Sequence, residues 1–191
     1  MSIRLPVIDA LELDATYTAV LRPGLTAVDD RGCERALPRT FLRIDSWEQA
    51  LETPLTEHFM LWELIGVDVR EAPVLRTFPR YVPCALLLLA GALELFRLEV
   101  GTYVHVAANG GYRSPAHELT RMASRHCWGT AANIYRIGDT YLEGGDDIPR
   151  YAEIAHRVIP GAWTRPVGSG DGEADDHLHI DIGYAILEPA Q

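Results

Sequence analysis

From His177 to Ile182 the chain alternates polar and apolar residues with a period of two. That is the pattern of a half-buried strand, predicted over Leu178–Tyr184. Leu178, Ile180 and Ile182 share the face that fits a core, and His177, His179 and Asp181 share the other. Further strands are predicted over Val100–Ala108, stopped by Asn109-Gly110-Gly111, and within Trp128–Arg136 after a turn. Residues 1–45 read as β-rich: Thr16–Leu21, a turn at Arg22-Pro23-Gly24, Leu25–Val28, then Phe41–Ile44. Ser46-Trp47-Glu48-Gln49 fits a capping box opening a short helix. A second short helix covers Leu61–Gly66. A long apolar helix starts at Pro83 and runs to about Arg97, and another runs from Pro115 to about Ser124. Asp146 and Asp147 cap a helix in which Ile148, Tyr151, Ala152, Ala155 and Ile159 form one face. Thr164–Asp176, rich in Gly, Asp and Pro, reads as a mobile loop.

The length of 191 residues suits one domain, or one domain with an extension. A net charge of -10 removes the basic face that nucleic acids and anionic membranes require, so neither is expected as a partner. Cys33, Cys84 and Cys127 form no CxxC pair and make a poor disulfide framework. The most apolar run, Pro83–Leu93, is too short to span a bilayer. The N-terminal residues lack the basic start and long apolar middle of a signal peptide, which points to the cytoplasm, with a phage-type release route as the alternative.

Three stretches carry candidate chemistry. Two imidazoles and a carboxylate on one strand face, with Asp176 just before them, suit a metal or acid–base site; they suit equally a half-exposed strand with a polar outer face. In Ser124–Asn133, Gly129 allows a sharp turn, and Ala131 and Asn133 lie two apart on one face. Arg113, in Gly111-Tyr112-Arg113-Ser114-Pro115 at a strand end, can hold a carboxylate or polarise a carbonyl.

In this order the stretches resemble the zinc D-alanyl-D-alanine carboxypeptidases and dipeptidases, whose fold is shared with the hedgehog signalling domain. The family pattern is GYR, then SxHxxGxAxD, then an acid three residues before a final His. Gly111-Tyr112-Arg113 matches the first part, Ser124, His126, Gly129 and Ala131 the second, and Asp176, His177 and His179 the third. Thr56-Glu57-His58-Phe59 with Trp62-Glu63 resembles the segment that opens the domain. The resemblance covers roughly residues 54–186. It implies an α+β fold in which a small antiparallel sheet carries the site, helices cover the other face and the 83–97 helix lies behind. It divides the chain into an N-terminal extension, residues 1–50, and a peptidase-like domain, residues 51–191.

The resemblance makes His126 and His179 zinc ligands, with Asn133 at the third ligand position. Asp176 becomes the general base, and His177 a site-lining group that steadies the transition state. Arg113 binds the scissile carbonyl or the terminal carboxylate. Ser124 contacts the substrate's amino side, and Tyr112 is counted with it among the substrate-binding residues. The implied substrate is a D-amino-acid-containing peptide, such as a peptidoglycan stem or fragment. The family has Asp where this chain has Asn133. A neutral amide oxygen removes one negative charge from the ligand set and weakens zinc binding. The alternative is therefore a non-catalytic relative that holds a peptide or small-molecule carboxylate in the old cleft.

Overall fold

The computed structural model describes residues 5–189. Residues 1–4 and 190–191, which the two expected segments include, lie outside the described residues. Along the chain come β1 (Val7–Asp9), α1 (Ala15–Leu21), β2 (Thr26–Val28), β3 (Glu34–Ala36), β4 (Thr40–Arg43), α2 (Trp47–Glu52), α3 (Leu61–Ile65), α4 (Pro73–Arg76), β5 (Tyr81–Pro83) and α5 (Leu86–Val100). Then follow β6 (Val104–Val106), a 3-10 turn at Arg125–Trp128, β7 (Ala131–Ile137), β8 (Thr140–Tyr141), α6 (Asp147–Val158), β9 (Trp163–Thr164) and β10 (Leu178–Asp181). The fold is α+β, with small antiparallel sheets and helices.

Three sheets form. One has the order β1-β4-β5, β2 pairs with β3, and the largest has the order β6-β7-β10-β9 with β8 added to β7. All the strand pairings are antiparallel. Leu178 and Ile180 of β10 face inward beside Ile134 and Ala132 of β7, in one core with Leu86, Leu89, Leu93 and Phe96 of α5. The same core takes in Leu21, Phe41, Leu42 and Ile44, so residue 50 marks no boundary between separate cores. Leu37, Ala123, Cys127 and Trp128 form a small satellite core.

Several elements differ from expectation, each for a local reason. Thr16–Leu21 is helical: the Asp14 carboxylate accepts from the Thr16 and Tyr17 amides, and this cap overrides the β-branched composition. Pro83 ends the edge strand β5, where a missing N–H is tolerated, and α5 begins at Leu86. Residues 115–124 form turns, because the Ser114 hydroxyl and the His117 ring accept from the Ala116 and Leu119 amides and compete with helical bonds. Val100 closes α5 ahead of Gly101, so β6 is shorter than expected. β10 stops at Asp181, whose carboxylate accepts from Gly183 N–H in a tight turn. Ser46 caps α2 through Gln49 N–H, but Gln49 reaches back to Asp45, one residue short of a full box. Asp146 makes no side-chain cap on α6, although Ile148, Tyr151 and Ala155 are buried as predicted.

Candidate functional site

The site is built on the seam between β7 and β10. His179 pairs with Asn133, and Asp181 with Ala131, on the face opposite the core residues. Ala131 and the Asp181 carboxylate opposite it are both buried. His126 arrives from the 3-10 turn that precedes β7, and its ring centroid lies 5.2 Å from that of His179. The turn can form because Gly129 adopts φ +69°, and it lies close against Leu86 at the start of α5.

Both histidines are buried, and each carries an outer partner. His126 Nδ1 lies 2.8 Å from the Gly111 carbonyl oxygen and donates its proton there. Its Nε2 is therefore a lone pair, buried without any hydrogen-bond partner. Burial, reinforced by Arg113, holds the His126 pKa well below the ordinary histidine value. His179 Nε2 lies 3.2 Å from Asp181 Oδ2, and its Nδ1 lies 2.8 Å from Asn133 Oδ1. Burial lowers its pKa too, against the opposing pull of the Asp181 hydrogen bond. A neutral ring has one proton. Given to Asp181, it leaves Nδ1 as a second lone pair, facing the Asn133 amide.

These are donors of the kind that ligate metals. Ligating histidines are usually fixed by a second-nitrogen hydrogen bond to a carbonyl or carboxylate, and both are fixed here in that way. His126 Nε2, His179 Nδ1 and Asn133 Oδ1 would form a neutral ligand set, with one charge fewer than a carboxylate would give. Without a cation, a flipped Asn133 amide satisfies His179 Nδ1 by donating to it.

Arginines gather around this seam beside the Asp181 carboxylate. Arg113 is buried with an unpartnered Nε, and desolvation pushes its pKa down to about 10, with Arg165 adding repulsion. Arg125 lies 3.8 Å from Asp181 and stacks on Tyr184 at 4.7 Å. Trp163 of β9 packs edge-on against His179 at 5.5 Å. Arg165, Arg125 and Trp163 were not singled out from sequence: β9 has two residues and no readable period, and Arg125 sits in a turn.

His126, Asn133 and His179 are brought together, with Arg113 hydrogen-bonded through its backbone to the His126 carbonyl. Asp176 is exposed on the loop before β10, its carboxylate 2.5 Å from His177 Nδ1. His177 Nε2 is buried without a partner. Ser124 is half-buried at the start of the 3-10 turn, with no capping bond from its side chain. Tyr112 is wholly buried in the main core, and its hydroxyl, like His126 Nε2, has no hydrogen-bond partner.

A second group of metal-compatible donors lies apart from the seam. One donor atom each from Glu57, His58 and Glu94 fall within 4.8 Å of one another. Glu94 there also accepts from the Thr56 hydroxyl and the His58 amide, tying residues 56–58 to α5. Among the described residues no helix is long and apolar enough to cross a membrane. No family model matches the chain, and neither a curated protein nor a solved structure is significantly similar to it.

Proposed function

We propose that the chain is a zinc-binding, peptidase-like protein of the D,D-carboxypeptidase type, acting on a D-amino-acid-containing peptide such as a peptidoglycan fragment. The supporting observation is the buried, unpartnered His126 Nε2 beside His179 Nδ1 and Asn133, each imidazole held by an outer acceptor. His126, His179 and Asn133 would hold the metal, which when bound supplies an acidified water and a Lewis acid. Asp176, exposed on the loop before β10, would be the group that accepts a proton from water there. Its bond to His177 orients the carboxylate and the ring together. Arg113, a forked donor already stripped of solvent, binds the peptide's terminal carboxylate or scissile carbonyl. Asp181, by accepting a hydrogen bond from His179 Nε2, would leave Nδ1 as a lone pair beside Asn133.

Metal content by elemental analysis, before and after dialysis against zinc, tests the reading. The native chain should take up about one zinc, weakly. Asn133→Asp should tighten retention by at least the ~10–100-fold that outer hydrogen-bond partners control in metal sites, and raise hydrolysis of D-Ala-D-Ala peptides. Zinc in neither protein overturns the assignment. The buried Arg113 supports a second reading, a carboxylate-binding protein without turnover. Saturable binding of a D-Ala-D-Ala peptide with no product, whatever metal is added, would select it.

A further inference from the structure

A cleft of about 640 Å³ opens between the β2–β3 hairpin and the turns at 115–122. Its volume falls in the range of roughly 300–1,000 Å³ typical of small-molecule sites. Its walls are mostly apolar. Leu25, Val28 and Met122 line it while remaining 60%, 50% and 52% exposed, and Leu37 of the satellite core lies within it. Three large side chains left this open around one concavity are unusual on a strongly acidic surface.

The unpaired charges of the cleft are of one sign. Arg22 and Arg121 both line it and are solvent-exposed, and neither forms an ion pair among the described residues. Asp29 is the carboxylate in the lining. It is already taken up by Arg35 and by the Arg31 and Cys33 amides. The Cys127 thiol is pushed up to about 12 by burial, so it contributes an apolar wall and no nucleophile. Two free guanidinium groups beside an apolar trough match an anionic head on an apolar body.

We propose that this cleft binds a small amphipathic carboxylate, its chain against Leu25, Val28, Leu37 and Met122 and its head held by Arg22 and Arg121. The cleft shares none of the proposed ligands His126, Asn133 and His179, although its wall residue Cys127 follows His126 in the 3-10 turn.

Isothermal titration of the full chain with sodium decanoate, 1-decanol and decyltrimethylammonium tests this. Decanoate should bind saturably, decanol about tenfold or more weakly, and the cation not at all. Arg22→Gln with Arg121→Gln should reduce decanoate binding to the level of decanol, and Met122→Glu should abolish it. These are surface positions, and circular dichroism checks that each variant is folded. Equal binding of all three probes, decanoate binding indifferent to the arginine changes, or no saturable decanoate binding by the native chain overturns the proposal.

Discussion

His117 shows how one buried side chain ties stability to pH. Its Nδ1 accepts from Leu119 N–H, so the ring proton sits on Nε2, which is buried without a partner and 3.8 Å from Asp68. Burial lowers its pKa from the ordinary 6.5. Protonating Nδ1 would also break the Leu119 bond. The unfolded chain therefore takes up the proton first as the pH falls, and stability is lost from about pH 6.5 downward. His126 and His179 act in the same direction. With a chelator present, the melting temperature should fall between pH 7.5 and 5. His117→Gln, which keeps an acceptor but does not titrate, should flatten part of that fall. An unchanged pH slope in the variant would rule His117 out as a contributor.

Between elements, the decisive contact is made by glycine. Tyr112 N–H donates to the Leu64 carbonyl at the end of α3, and Gly111 packs directly against that carbonyl. A Cβ on Gly111 would fall far inside van der Waals contact with the Leu64 oxygen, a backbone atom that cannot swing aside. Gly111→Ala should destabilise the chain by about 2–3 kcal/mol in a denaturant melt, since overpacking a closed site costs about that much. It should also disturb His126, which bonds to the Gly111 carbonyl. A melt within experimental error of the native chain would mean that α3 moves freely. This contact explains a motif that sequence could locate but not justify. The alternation around His179 was legible for a similar reason: period two places Leu178 and Ile180 in the core, so His179 and Asp181 must face the other way. Legibility failed where one hydrogen bond outweighed composition, as with the Asp14 cap on α1 and the His117 turn. It failed also for Trp163 and Arg165, brought to the site by long-range pairing of β9 with β10.

At the scale of the whole molecule, residues 5–50 and the sheet that carries the seam share one core. β4 pairs with β5, and Phe41 lies opposite Pro83 in that ladder. Phe41 is also fully buried, in the same cluster as Leu86 of α5 and Ile180 of β10. The β2–β3 hairpin is joined less tightly, through the satellite core and Ala123 N–H to the Val28 carbonyl. A shared core predicts a single cooperative transition, because no part can unfold without exposing apolar surface of the rest. Phe41→Ala should therefore destabilise the chain by about 3–5 kcal/mol, the range for truncating a buried aromatic. The loss should appear equally in far-ultraviolet dichroism, which reads all the elements, and in near-ultraviolet dichroism, to which Trp163 beside His179 contributes. Were residues 5–50 an independent extension, Phe41→Ala would melt them alone and leave a second transition at the native midpoint. Coincident curves, both shifted together, would show that the N-terminal strands hold up the sheet on which His179 and Asn133 meet.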